Sequence, residues 1–296
     1  MTGKSQNAPA TTNSSRWVLK GFVALYCVLT LLLVFRVPLG SAPDEWAHFK
    51  YVEHLATTQT LPVFKPIGAA KDPGYEFHQP PLYYALCAPL WDASGPGAQQ
   101  YLCRLISLLF GAATVVLVWR SLRELWPDNR QLAALATGFA ALLPMHQAVG
   151  ASGGNDAIAG FFCALMFYRV ACGTNRVWTL RDSVLLGVAI GLGMLSKTTC
   201  LVVAVAAFGS VCHFVLRDES NKKNILKHGG AVAGVALLVC GWWLLRNTRL
   251  YGDPFAMRIF DEAFRNSSPR PSAFMTDGVI FEKGVSLFTY LRALAL

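Results

Sequence analysis

Residues 183–216 read SVLLGVAIGLGMLSKTTCLVVAVAAFGSVCHFVL, and Lys197 is the only Lys, Arg, Asp or Glu among these 34 residues. A helix needs about 20 apolar residues to cross the hydrocarbon core of a bilayer, so two crossings and a turn would take ~40. At least one crossing must therefore be short, which draws the Lys197-Thr198-Thr199 turn below the membrane surface. An ammonium is expensive there unless it meets an anion. The alternative is a lysine that snorkels to the interface along its own stem.

The composition points the same way. The chain has 296 residues, 54% apolar and 15% charged, with a mean hydropathy of +0.40. Soluble domains carry about 25% charged residues, so this chain has more apolar surface than one soluble core can bury. That excludes a soluble enzyme, a disordered chain and a disulfide-stapled secreted domain. The net charge is +9, but no basic stripe interleaved with aromatics accompanies it, so no nucleic acid is expected as a partner. The eight cysteines show neither CxxC nor metal-ligand spacing and read as small buried hydrophobes. A Cys87 to Cys103 disulfide is a minor alternative, because both should lie on the oxidising side.

Runs of crossing length number seven: Trp17–Phe35, Tyr101–Trp119, Gln131–Val149, Asp156–Ala171, Ser183–Ser196, Thr198–Leu216 and His228–Leu245. The expected fold is all-α, a polytopic transmembrane helical bundle. An eighth apolar stretch begins near Val285 and is cut by the chain end, as if a larger bundle were truncated. Residues 1–15 are Ser/Thr/Asn/Ala-rich and are expected as a disordered cytoplasmic tail, with the transmembrane domain covering 16–296. Ten cations, including Arg120, Arg130, Arg169, Arg176 and Lys223, lie in alternate short loops, against only Lys197 in the others. The positive-inside rule places the ten in the cytoplasm with the N-terminus. Residues 36–100, and those from 246 to about 284, are then outer loops.

The first outer loop is too long for a plain connector. Pro43 to Thr57 reads as a helix whose acidic start suits the positive end of its dipole, with Asp44 able to cap. Pro80 to Trp91 is apolar, aromatic and short, and reads as a helix lying at the interface. With this topology Asp44, Glu45, His48, His78, Gln79, Arg104, His146, Asn155, Asp156, Lys197, Arg246 and Asn247 all fall at the outer ends of spans or in the first outer loop. Each has a plainer explanation: a solvated helix start or cap for Asp44 and for Asn155-Asp156, an interfacial anchor for Arg104 and for Arg246 after Trp242-Trp243, a kinked helix end for His146. On a helix Asp44 and His48 share a face. Adjacent carboxylates in unlike surroundings can take unlike roles. No Walker loop, GxGxxG, HExxH or GxSxG occurs, and the histidines lack metal spacing. A carboxylate pair and several cations facing a bilayer surface suit an anionic lipid-linked substrate.

Several stretches together resemble bacterial GT-C glycosyltransferases of the family 39 type, which include protein mannosyltransferase-like and aminoarabinose transferase-like enzymes. They are Pro43-Asp44-Glu45-Trp46-Ala47-His48-Phe49, Leu61-Pro62-Val63, His78-Gln79-Pro80-Pro81-Leu82-Tyr83-Tyr84, Arg104-Leu105, Asn155-Asp156-Ala157, Gly191 to Lys197, and Gly241-Trp242-Trp243 to Arg246-Asn247 with Tyr251-Gly252-Asp253-Pro254. The resemblance implies inverting transfer of a sugar from a polyprenyl-phosphate donor to an acceptor hydroxyl on the outer face of a bacterial inner membrane. It implies Asp44 as the catalytic carboxylate with Glu45 in support. Lys197, Arg246 and Arg104 would hold the carrier phosphate, and Asn155 or Asp156 would line the sugar or acceptor cavity. His78 and Gln79 stand where some relatives carry a lysine. No cofactor is expected; a divalent metal stays open, because GT-C enzymes differ in this. A lipid-linked glycan transporter or flippase, and a non-catalytic membrane assembly subunit, are the competing functions.

Overall fold

A computed structural model describes residues 11–65, 74–91, 97–218 and 222–264, and these are helical throughout apart from turns and connectors. In chain order the helices are α1 (Thr11–Arg36), α2 (Glu45–Thr58), a 3₁₀ turn (Tyr75–His78), α3 (Leu82–Trp91), α4 (Ala98–Leu125), α5 (Arg130–Leu142), α6 (Pro144–Gly150), α7 (Asp156–Thr174), α8 (Leu180–Ser196), α9 (Cys200–Asp218), α10 (Lys222–Tyr251) and α11 (Met257–Phe264). α1 begins at Thr11, so the last residues of the expected tail are helical instead. The apolar stretch from Val285 lies outside the described residues.

Five helices are long and apolar enough to cross a membrane, namely α1, α4, α7, α9 and α10. The run expected as one span over Gln131–Val149 is broken. α5 and α6 meet at 57°, because Pro144 can open a helix but cannot extend the preceding one. The pair makes a sixth crossing if counted as one. The expected span at Ser183–Ser196 is α8, with 17 residues, or about 25 Å of rise. α10, its most extensive packing partner, has 30.

The α8–α10 contact depends on small residues. A Cβ at Gly187 would stand 2.8 Å from the Val232 carbonyl oxygen, and one at Gly191 would stand 2.5 Å from the Val239 Cβ. Two glycines four residues apart present one bare strip of backbone, the arrangement that lets membrane helices approach closely. α4 packs as extensively on α7, and α1 lies on the outside of the pair. The outer surface carries Leu238 at 83%, Val202 at 76% and Phe139 at 70% exposure, an apolar coat that suits lipid and not water.

Short links make successive spanning helices antiparallel, so the polar residues sort to the two ends. At one end Asp182, in a capping box with Thr179, pairs with Arg169 and Arg176, and Ser183 links Trp178 to His228. The candidate functional residues gather at the other end. There α2, the 3₁₀ turn and α3 are folded against the bundle, and α3 buries Tyr83, Tyr84, Cys87 and Trp91 against α2, α4 and α8. All eight cysteines are free thiols, Cys87 and Cys103 included.

Candidate active site

The site is built on a buried ion pair. Arg104 Nε and Nη2 donate to the two carboxylate oxygens of Glu45, each at 2.7 Å, and neither side chain is exposed. The remaining Arg104 donors go to the carbonyls of Val34 (2.8 Å), Val37 (2.7 Å) and Pro38 (3.0 Å). Glu45 also accepts from the backbone N–H of Gly153 (2.8 Å) and Gly40 (2.7 Å). All five guanidinium donors are thus used, and each carboxylate oxygen holds two bonds. Gly40 has φ +79°, and a Cβ there would collide with the Trp46 indole. Burial alone would raise the Glu45 carboxyl, but Arg104 and the two amides outweigh it and hold it below the usual carboxylate range.

This knot fixes its neighbour. Asp44 sits at φ 59°, ψ 4°, a left-handed conformation that costs a non-glycine residue free energy and persists where the surroundings impose it. Its side chain does not cap α2, as the sequence had suggested. Instead Oδ1 accepts from the Tyr75 hydroxyl at 2.6 Å. Nor does Asp44 pair with His48, whose Nδ1 lies 2.8 Å from the Tyr84 hydroxyl.

Around Asp44 the other elements bring one group each. Lys197, at the turn between α8 and α9, pairs with Asp156 at the start of α7 at 2.5 Å. Asn155, fully buried, donates from Nδ2 to Ser196 O (3.0 Å) and Gln79 Oε1 (3.2 Å), tying three elements together. Asn155 makes no side-chain cap, and its Oδ1 is buried without a partner among the described residues. Burial, helped by Lys197, pushes His48 down to about 4. Burial also pushes His78 down to about 4, against the pull of the Tyr75 carbonyl. Both imidazoles are neutral at pH 7 and offer no charge to a phosphate.

The remaining predicted residues stand on a neighbouring wall. Arg246 lies over Trp243 and donates to the carbonyls of Leu61 (3.3 Å) and Pro62 (2.6 Å), while its Nη1 is buried with no partner among the described residues. Asn247 donates to Pro254 O (3.2 Å) and closes the turn after α10. His146 bonds Ala140 O (2.8 Å) and lies tilted against Tyr26 at the α5–α6 break, away from this cluster.

Tyr75, Tyr84 and Glu76 belong to the site, and sequence reasoning did not find them. Glu76 is 5% exposed, and its Oε2 is buried without a partner among the described residues. Burial pushes its carboxyl up to about 7, and Asp44 adds to the shift while Gln79 and Lys197 oppose it. Its only sequence signal is its place two residues before His78. Among the described residues no three His, Cys, Asp or Glu side chains stand where one metal ion could be held.

Asp44 and Asp156 line a cavity of about 460 Å³ whose other walls include Leu33 of α1, Val37 just after it, and Met145, Ala148 and Val149 of α6. Met145 is 69% exposed, so one wall of this cavity lies at the surface of the bundle and another carries two carboxylates.

The dolichyl-phosphate-mannose-protein mannosyltransferase family matches residues 78–243, more than half of the chain. No curated protein matches it. Among solved structures, the Archaeoglobus fulgidus oligosaccharyltransferase, crystallised with a tethered acceptor peptide containing the NVT sequon, is similar in fold. Its TM-score is 0.52 at 16% identity, over 96% of this chain and 38% of that one. The chain therefore spans well under half of that relative's length. It belongs to the dolichyl-phosphate-mannose-protein mannosyltransferase family and is an integral membrane protein on a GT-C fold.

Proposed function

We propose that the protein transfers a sugar, with inversion, from a polyprenyl-phosphate-linked donor to an acceptor hydroxyl at the outer face of the membrane. The observation that carries this is a largely apolar cavity lined by Leu33, Val37 and the exposed Met145 together with the Asp44 and Asp156 carboxylates. A lipid carrier keeps its chain in the bilayer and presents its phosphate at the headgroup level, and that cavity suits the carrier chain, with Lys197 paired to Asp156 on its wall.

Asp44 takes the proton of the acceptor hydroxyl on Oδ2, because Tyr75 already holds Oδ1. The acceptor oxygen bonds to the anomeric carbon as the carbon–oxygen bond to phosphate breaks. The electron pair leaves on the carrier phosphate, and one displacement inverts the centre. Glu45 and Arg104 do not touch the reactants in this scheme. They hold Asp44 in its left-handed pose, and Arg104, with every donor committed, has none for a phosphate.

The phosphate falls to Lys197, which exchanges Asp156 for it, and to Nη1 of Arg246, which has no partner among the described residues. Cations at a leaving oxygen act best in a cavity poor in water. Asn155, Gln79 and Asp156 are left to line the sugar or acceptor. The ten-cation end lies opposite the site, which supports an outer-facing site by the positive-inside rule.

Lys197→Ala tests the phosphate assignment. A hydrogen bond to a charged group is worth about 1.5–3 kcal/mol, so the donor KM of the purified protein in bilayers should rise roughly 10- to 100-fold. An unaltered KM for a prenyl-phosphate sugar in that variant would remove Lys197 from the donor site.

A further inference from the structure

Glu76 performs no step in the transfer described above, yet its carboxyl is the most deeply enclosed acid near Asp44 after Glu45. The side chain is 5% exposed and Oε2 lacks a partner among the described residues. The preceding residue, Tyr75, bonds Asp44, and His78, two residues on, folds its ring back onto the Tyr75 carbonyl (2.9 Å). α11 covers this turn, with Phe260 tilted against His78 at 4.3 Å and Phe264 edge-on to Tyr75 at 6.0 Å. Among the described residues, the charged and titratable groups that interact with Glu76 are Asp44 beside the start of α2, Asp156 from α7, Lys197 from the turn after α8, Tyr84 from α3 and the adjacent Tyr75. His48 and His78 stand with them as neutral rings.

The charge balance of this chamber is narrow. Arg104 is spent on Glu45, so among the described residues Lys197 is the cation that Glu76, His48 and His78 feel, beside the carboxylates of Asp44 and Asp156. A third carboxylate here would oppose a phosphate held by Lys197, because like charges that share a site disfavour one another. We infer that Glu76 is a charge switch for phosphate binding: it carries its proton while the lipid-linked phosphate is held, and losing that proton to solvent expels the phosphate. The inference rests on reading the site as one that holds a lipid-linked phosphate. Burial and the neighbouring Asp44 place the transition within the physiological range. Glu76 is thus a positioning and regulatory residue rather than a catalytic one.

The test is the affinity of the full chain in detergent for farnesyl phosphomannose, followed by tryptophan fluorescence at about pH 6 and about pH 8.5. This phosphodiester keeps one fixed negative charge across that range, unlike a phosphate monoester, whose second pKa is about 6. The wild type should bind on the order of tenfold more weakly at the higher pH. In Glu76→Gln, which is neutral at every pH, the ratio of the two affinities should fall to near one. Equal pH dependence in both proteins overturns the switch while leaving the donor reading intact. No binding at either pH in the wild type overturns both. If Glu76→Gln does not fold, the wild type decides. Its infrared spectrum should lose a protonated-carboxyl band between the two pH values, and bound phosphodiester should hold that band to higher pH; a band insensitive to ligand contradicts the inference.

Discussion

Asp44→Asn is expected to abolish sugar transfer while the protein still inserts and folds. The loss of a positioned general base costs about 10²- to 10⁴-fold, and asparagine can still fill the space and adopt the left-handed backbone that Asp44 occupies at φ 59°. The Tyr75 hydroxyl keeps an oxygen to donate to. Transfer should therefore fall in turnover, with thermal stability in detergent close to the wild type. A transporter built on the same cations needs no base, so full function in Asp44→Asn would favour that alternative over the enzyme.

One residue along, the expected result reverses. Arg104→Ala should cost about 3–5 kcal/mol, because it leaves a carboxylate buried and unpaired at the end of the bundle. That is a large part of the margin by which a protein stays folded. The same knot ties the end of α1, through the Val34 carbonyl, and the residues just after it, through the Val37 and Pro38 carbonyls, to α2, α4 and the Gly153 amide. Glu45→Ala should behave alike. The double replacement Glu45→Leu with Arg104→Met should recover part of the loss and not all of it, since the Gly40 and Gly153 amides stay without an acceptor. The pH sign follows from the lowered Glu45 carboxyl. Its contribution is full at neutral pH and is lost as the pH falls through the lowered value. Thermal unfolding of the variants in detergent checks this. Wild-type stability in Arg104→Ala would contradict the structural role given to the pair.

The contrast between these neighbours marks what a single sequence can and cannot carry. Apolar runs fixed by bilayer thickness made α1, α4, α7, α9 and α10 legible, and the shortage of residues between 183 and 216 announced the short α8. Counting crossings then sent Asp44, Asn155, Asp156 and Lys197 to one end, where they meet. The α5–α6 break was less legible. Hydropathy does not register direction, and Pro144 was a sign of a kink without its 57°. Which cations stay free was not legible at all. Arg104 and Lys197 look alike along the chain, and only the folded packing shows that one spends every donor on Glu45 and three carbonyls while the other holds a half-exposed aspartate. Glu76 was missed for a related reason. An acid in a loop reads as solvated until the bundle and α11 close over it, and its environment is made by residues up to 188 positions away.

The most direct test of a lipid-linked donor is the lipid that the protein itself retains. Full-length protein purified in mild detergent should carry a polyprenyl phosphate or its sugar-bearing form, detected by mass spectrometry of the extract and depleted in Lys197→Ala. Bulk phospholipid alone, in the wild type and from cells supplied with the carrier, would contradict the account.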